Sequence, residues 1–180
     1  MDLQIWLAFA AASLALLVIP GPTLLLVVSY ALTQGRRVAL AMAAGVALGD
    51  LIAMSASLLG LGALIATSAT LFTLLKWVGA AYLLWMGIGL WRSAGKAGLA
   101  GLTRPEDLPA GQVFRHAALV TALNPKSIAF FVAFVPQFLT PGAPLAPQFT
   151  VMIATFVSMA ALNALISALL ANRMRRFLTT

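Results

Sequence analysis

The stretch Ala15–Leu32 (ALLVIPGPTLLLVVSYAL) constrains the fold most, because it is apolar enough for a lipid bilayer and yet contains two prolines near its centre. Pro20 and Pro22 lack an amide hydrogen, and each ring clashes with the carbonyl four residues earlier, so an α-helix cannot continue undisturbed. The carbonyls of Leu16 and Val18 therefore lose their usual donors. Inside hydrocarbon an unpaired backbone group costs several kcal/mol, so a broken helix is tolerated where it faces protein or a water-filled cavity. We expect this break to line a substrate path.

The composition indicates an integral membrane protein. The chain has 62% hydrophobic residues, 8% charged residues and a mean hydropathy of +1.03, whereas soluble domains carry roughly 25% charged residues. Its net charge of +7 resides mostly in short connections between apolar runs, which favours membrane orientation over nucleic-acid binding. With no cysteine, one histidine and four acidic residues, no metal cluster, cofactor motif or nucleophile–base pair can be assembled, so we expect no metal, no cofactor and no enzyme.

Five apolar segments predict an all-α, polytopic membrane helix bundle that forms one transmembrane domain over 1–180. The first segment begins after Asp2 and is too long for the core of a signal peptide, so we interpret it as a retained span. A Gly- and Pro-rich polar loop, predicted over 92–116, separates the third segment from the fourth. The predicted spans cover about 3–32, 38–66, 71–91, 117–139 and 149–171.

Lys and Arg alternate between the two sides of these spans. None precedes the first span, two follow it, none follows the second, four follow the third, none follows the fourth and three follow the fifth. By the positive-inside rule, the N-terminus lies outside, and the basic loops and the C-terminus lie inside. All five spans fit this single orientation.

The first and fourth segments share a proline break, and each precedes a span with one interior polar residue, Asp50 or Asn163. A three-span unit that is repeated once must reappear inverted, and broken helices at matching positions of inverted halves indicate a transporter site near the midplane. The second unit would then have only two spans. The partner of the third span would come from a longer gene product or from another subunit.

Both breaks contain residues that can restart a helix. Asn124 is a preferred N-cap, and Pro125 suits the first helical position, where its missing amide hydrogen is not needed. Pro22, followed by Thr23, can restart the first segment in the same way. The two half-helices would point their amino ends, with free N–H groups and the positive end of the helix dipole, at a substrate carboxylate. The alternative is that the prolines only kink helices for packing.

Two charged residues lie deep in the predicted spans. Asp50 is about 12 residues into the second span, which at roughly 1.5 Å per residue is near the middle of the bilayer core. An ionised carboxylate is costly there, so Asp50 is a candidate proton carrier; a structural ion pair or a protonated packing residue is the alternative. Lys126 is too deep for a typical end-of-helix anchor and is a natural counter-charge for Asp50 or for a substrate carboxylate. Its alternative is to extend toward the interface.

Small and polar residues complete the candidates. Gly45 and Gly49 form a GxxxG pair beside Asp50, which is typical of close helix packing. Asn163 is a secondary polar candidate, because it is the interior polar residue of the fifth span.

The motifs IPGPT, GVALGD, KWVGAAYLLWMGIGLWR and LNPKSIAFFVAFVPQF, in this order, resemble the lysine exporter family (LysE/RhtB translocators), bacterial inner-membrane exporters of amino acids. The resemblance covers nearly the whole chain and implies proton-coupled efflux of amino acids or their derivatives. Family members resemble six-span proteins, and this chain departs from them by lacking the last span. The functional core that the resemblance implies consists of Pro20, Gly21, Pro22, Gly49, Asp50, Asn124, Pro125 and Lys126.

Two other functions stay open at this stage. One is export of a metal ion or another small molecule, because no feature of the sequence indicates recognition of a particular substrate side chain. The other is a truncated, non-transporting membrane subunit. The expected partners are an amino-acid substrate, protons and the lipid bilayer, with a homo-oligomer as an open alternative.

Overall fold

The computed structural model describes residues 1–34, 36–93 and 108–178, and its regular secondary structure is helical throughout that part of the chain. Most of the helices are strongly apolar, and a single 3-10 turn (Val135–Phe138) follows the sixth. The described α-helices are α1 (Leu3–Val18), α2 (Pro22–Gln34), α3 (Arg36–Thr67), α4 (Ala69–Ser93), α5 (Ala110–Ala122), α6 (Pro125–Ala133) and α7 (Leu145–Leu178).

Two pairs of helices are bent at the predicted proline motifs. The pair α1 and α2 bends by 57° between Val18 and Pro22, and the pair formed by α5 and α6 with its 3-10 turn bends by 42° before Pro125. Three described helices are long and apolar enough to cross a membrane, and the number rises to five if each bent pair is one span. The all-helical class is therefore confirmed, and the chain is a multi-pass membrane protein.

The predicted polar loop over 92–116 is wrong at its second end, because α5 begins at Ala110; residues 94–107 of that loop lie outside the described part of the chain. Val113 and Ala117 are buried on one face of α5, while His116 is exposed. Because the other face of this first turn is polar and exposed, the hydropathy of the sequence did not indicate a helix there. With the earlier start, the second break falls near the middle of its helix pair instead of in the first half.

The fifth segment also begins earlier than predicted. Its helix, α7, starts at Leu145 and not near 149. Pro147 lies in the first turn, where a missing amide hydrogen costs the helix no internal bond, so the proline-rich sequence does not delay the start. The 3-10 turn around Pro136 ends the preceding helix pair.

The central helix is α3, which packs against α2, α5, α6 and α7. Its closest neighbour is α5, because two glycines leave no side chain between the helices. A Cβ at Gly45 would lie 2.5 Å from the Phe114 carbonyl oxygen, and one at Gly49 would lie 2.6 Å from the Ala118 carbonyl oxygen. This approach holds the next residue, Asp50, beside α5 in the interior of the bundle.

Aromatic packing fixes α6 against α7. Phe131 and Phe156 meet edge to face with 4.8 Å between ring centroids, and both are fully buried. Such pairs contribute about 0.5–1.5 kcal/mol beyond the area they bury. This packing holds the start of α6, where the second break lies, in position against α7.

The helix α4 lies at the edge of the bundle. It packs against α6 at Gly79, where a Cβ would lie 3.0 Å from the Ala133 Cβ. Its opposite side exposes large apolar side chains, such as Trp77 and Trp85, as expected for a surface in contact with lipid.

Candidate functional site

The carboxyl end of α1 has carbonyl groups that receive no helical hydrogen bond. The last bond of this helix is from the Ile19 amide to the Ala15 carbonyl, at 3.3 Å. The Leu16 carbonyl, which Pro20 deprives of its donor, accepts a hydrogen bond of 3.0 Å from Lys126 Nζ. The Ile19 carbonyl accepts a second bond from the same atom at 2.8 Å. The ammonium group of Lys126 therefore caps the broken end of α1.

Lys126 is buried, with 6% of its surface exposed. In this structure the ammonium group is bonded to the α1 carbonyls inside the bundle and does not extend away from the break. Gly21 makes room for it: a Cβ there would lie 3.1 Å from Nζ. An ammonium group has three N–H donors, so one remains after the two carbonyls are satisfied.

The start of α6 is joined to the start of α2. The Asn124 side chain caps α6 by accepting a hydrogen bond from the Lys126 amide at 3.0 Å, with Pro125 at the first helical position. The Asn124 Nδ2 donates to Thr23 Oγ1, in the first turn of α2, at 3.1 Å. Thr23 Oγ1 also lies 3.4 Å from Thr121 Oγ1 of α5. The helix restart predicted at each break is therefore present, and the two restarts are in contact.

The fifth predicted span also reaches the first break. Asn163 of α7 donates from Nδ2 to the Leu17 carbonyl at 3.3 Å. Its carbonyl oxygen, Oδ1, makes no hydrogen bond to another residue of the described chain. Three carbonyls at the end of α1 thus accept from two side chains, Lys126 and Asn163.

A small cavity of about 30 Å³ lies among these groups. Side chains from α1, α2, α3, α6 and α7 line it. Its volume fits water but not an amino acid, since a water needs about 10–15 Å³ of such space. Its polar lining consists of Thr23, Asp50, Asn124, Lys126, Ser127 and Asn163.

Asp50 contributes a buried carboxylate to this cavity, with 3% of its surface exposed. Within the described part of the chain, this carboxylate makes neither a hydrogen bond nor an ion pair. Lys126, the one basic residue of the lining, therefore shares a cavity with Asp50 but is bonded to the α1 backbone. The direct pairing of the two, one of the alternatives that the sequence left open, is not the arrangement in this structure.

The structure separates the candidates into three groups. Thr23, Asp50, Asn124, Lys126 and Asn163 meet at the cavity. The residues Pro20, Gly21, Pro22 and Pro125 form the breaks beside it, and Gly45 and Gly49 lie at the contact of α3 with α5.

Sequence reasoning missed Ser127 and Thr121. Ser127 lines the cavity directly after Lys126, and Thr121 contacts Thr23. Both are buried polar residues within one helical turn of Asn124. Polar residues that flank an NPK motif in an otherwise apolar run are the signal that would have found them.

Helix ends of opposite partial charge lie close together at this cavity. The carboxyl end of α1 carries the negative end of a helix dipole and attracts a cation, which here is Lys126. The amino ends of α2 and α6 carry the positive end and attract an anion. A buried carboxylate that makes no hydrogen bond to a described residue is suited to binding and releasing a proton. The site therefore presents groups of both charge signs around a cavity that, in this structure, has room for water only.

The chain is similar in sequence to known membrane proteins. The chain is 36% identical over 178 residues to an uncharacterized membrane protein of Vibrio cholerae, a match that covers 99% of this chain and 86% of the relative. It is 34% identical over 152 residues to the homoserine/homoserine lactone efflux protein of Salmonella typhimurium, covering 84% of this chain and 73% of the relative. No solved structure matches the chain.

The family model described as LysE type translocator matches residues 14–180, which include both breaks and every polar residue of the cavity. This agreement confirms the resemblance drawn from the sequence motifs, and it identifies a membrane transporter and not an enzyme. The chain belongs to the LysE type translocator family.

Proposed function

We propose that this protein exports amino acids or their derivatives across the bacterial cytoplasmic membrane by proton-coupled antiport. The observation that carries the proposal is the cavity at the two helix breaks, where Asp50, Lys126 and the starts of α2 and α6 come together. Ionisable residues inside a membrane bundle are rare, costly and typical of substrate and proton paths. Broken helices supply backbone groups of both signs at such a site.

The proposed architecture is an inverted repeat of a three-span unit. Two similarities support it: each half begins with a bent helix pair, and the following helix carries a polar residue at the cavity, Asp50 in α3 and Asn163 in α7. The distribution of Lys and Arg supports an N-terminus outside and a C-terminus inside.

In the proposed mechanism, Lys126 and the amino ends of α2 and α6 hold the substrate carboxylate, and Asp50 changes its protonation as the site alternates between the two sides. The cavity of about 30 Å³ is too small for an amino acid. Loading therefore requires this cavity to enlarge, and in the proposed mechanism the helices around the breaks separate to do so. Alternating access about the breaks supplies this opening.

The proposed substrate class includes homoserine and its lactone. The Salmonella relative is named for efflux of both compounds. They share a primary ammonium group and differ in that only homoserine has a free carboxylate. A site with separate positive and negative ends suits this pair of ligands.

The test replaces Asp50 by Asn, which has nearly the same shape and no charge. We expect Asp50→Asn protein in liposomes to lose net efflux of L-homoserine driven by a pH gradient. Exchange of labelled for unlabelled L-homoserine at saturating concentration should persist, because exchange needs no net proton transfer. Retained exchange also shows that the variant folds.

The matched control is Asp2→Asn, which removes an exposed acid in front of α1 and should leave both activities unchanged. Undiminished pH-driven efflux in the Asp50→Asn variant would exclude Asp50 as the proton carrier. Absence of L-homoserine transport by the unmodified chain, with no response to the lactone, would refute the proposed substrate class.

A further inference from the structure

A cation already occupies the carboxyl end of α1. Lys126 Nζ donates to the Leu16 and Ile19 carbonyls at 3.0 and 2.8 Å, in the interior of the bundle. Short bonds from a charged donor are roughly twice as strong as neutral ones. Because the carbonyls are freed by a proline break and lie at the negative end of a helix dipole, this is a built cation site and not an ordinary surface contact.

We infer that these carbonyls form the binding site for the primary ammonium group of the substrate, and that Lys126 holds this site until the substrate displaces it. The inference rests on the proposed export of amino acids and deepens it by assigning the two ends of the substrate. The carboxylate goes to the helix amino ends and the displaced Lys126, and the ammonium goes to the end of α1.

The chemical match between the resident and incoming groups supports the exchange. Lys126 Nζ and a substrate ammonium are the same group, with the same charge and three N–H donors. Exchange of one for the other keeps the carbonyls satisfied, whereas an empty end of α1 would leave polar groups unpaired in a dry interior. Binding a second ammonium beside the first would instead add a repulsive charge where the dielectric constant is low.

Further groups around the carbonyls fit an ammonium ligand. Asn163, which lines the cavity, donates from Nδ2 to the adjacent Leu17 carbonyl, and its Oδ1 is left without a hydrogen bond to a described residue. The Asp50 carboxylate lines the same cavity and makes no hydrogen bond to a described residue. Both oxygen groups can face a cation at the end of α1. Gly21 leaves the space that the ammonium fills, since a Cβ would lie 3.1 Å from Nζ.

Displacement of Lys126 also provides room. The lysine stem lies against the first break, with its Cε 3.3 Å from the position of a Cβ on Gly21, and the cavity beside it is about 30 Å³. When the ammonium leaves the two carbonyls, the flexible side chain can turn toward Asp50 or toward the substrate carboxylate. The same movement thus opens the ammonium site and brings a positive charge to the other end of the substrate.

The first experiment measures binding of three probes to the purified full chain in lipid nanodiscs by calorimetry at mildly acidic pH. L-homoserine has both charged groups, L-homoserine lactone has only the ammonium, and N-acetyl-L-homoserine has only the carboxylate. We expect the first two to bind and the N-acetyl compound to bind about 100-fold more weakly, because it loses two charge-assisted hydrogen bonds. A dissociation constant for the N-acetyl compound within about threefold of that for L-homoserine would overturn the inference.

The second experiment removes the resident cation with Lys126→Met. The lactone should bind about tenfold more tightly to this variant. In the unmodified protein Lys126 occupies the site, so only a fraction of the protein is free to bind and the apparent affinity is lower by that fraction. The gain for L-homoserine should be smaller, since its carboxylate loses a partner. The control is Lys76→Met in α4, which lies outside the cavity lining and should change neither affinity. Equal weakening of both probes by Lys126→Met would contradict the exchange.

The outcomes separate this inference from the proposed function. If L-homoserine and its N-acetyl derivative bind alike and are exported alike, export stands and the ammonium site is refuted. If neither L-homoserine nor its lactone binds, the proposed substrate class fails and the inference fails with it. The comparison of probes uses the unmodified protein, so it tests recognition of the ammonium group even if Lys126→Met does not fold.

Discussion

The contact between the two helix breaks can be measured through Asn124. This side chain accepts a hydrogen bond from the Lys126 amide and donates another to Thr23. Loss of an N-cap costs about 1 kcal/mol, and a hydrogen bond between membrane helices contributes about 0.6 kcal/mol on average, with about 1.7 as the largest value. We therefore expect Asn124→Ala to lower the free energy of unfolding by about 2 kcal/mol.

Two further variants separate these contributions. Asn124→Ser keeps a good N-cap but is too short to reach Thr23 Oγ1, which lies 3.1 Å from the Asn124 amide nitrogen, so it should cost about half as much as Asn124→Ala. Thr23→Val removes the acceptor with little change of shape. Combined with Asn124→Ala in a double-mutant cycle, it should give a coupling energy of about 1 kcal/mol.

The assay is reversible unfolding of the purified protein in mixed detergent micelles, followed by circular dichroism. The matched control pairs Asn124→Ala with Thr73→Val. The Thr73 hydroxyl donates to the Ala69 carbonyl of its own helix, so this pair should give additive effects. A coupling energy between Asn124 and Thr23 below about 0.3 kcal/mol, the usual limit of additivity, would refute the contact between the two breaks.

Two glycines provide further predictions. Gly49→Ala should lower the free energy of unfolding by about 1–3 kcal/mol, because its Cβ would meet the Ala118 carbonyl oxygen at 2.6 Å. Gly60→Ala on the same helix meets nothing within 4 Å and should be neutral or stabilising; equal losses would exclude the packing role. Gly21→Ala, whose Cβ would crowd the Lys126 ammonium at 3.1 Å, should weaken L-homoserine binding about tenfold with little loss of stability. Unchanged affinity would show that the ammonium lies elsewhere.

The helix breaks could be predicted because their cause is local. A proline lacks the amide hydrogen and carries a bulky ring wherever it lies, so Pro20 and Pro22 determine the end of α1 regardless of tertiary structure. The restart at Asn124 is equally local, since an N-cap acts on amides two or three residues later. The position of Asp50 near the middle of its helix could also be predicted, because the apolar run that forms α3 (Arg36–Thr67) extends on both sides of it.

The partner of Lys126 could not be predicted in the same way. From charge alone, the candidate partners were Asp50 and a substrate carboxylate. Acidic residues can be recognised in a sequence, whereas the backbone carbonyls that will accept a hydrogen bond cannot. Every residue has a carbonyl, and only the bend of 57° between α1 and α2 presents those of Leu16 and Ile19 to the start of α6. The start of α5 was missed for a related reason: its first turn is half polar and became recognisable only through the burial of Val113.

Because Lys126 caps α1, the proposed mechanism links movement of α6 away from α1 to occupancy of the site by substrate. Lys126 lies in the first turn of α6, so separation of α6 from α1 releases the Leu16 and Ile19 carbonyls at the same time. Carbonyls without donors cost several kcal/mol in a membrane interior, which makes an open site with neither lysine nor substrate the least favourable state. In the proposed mechanism, the empty protein therefore changes sides with Lys126 in place and the loaded protein changes sides with the substrate in place. One buried lysine thereby opposes opening of an unoccupied path across the membrane.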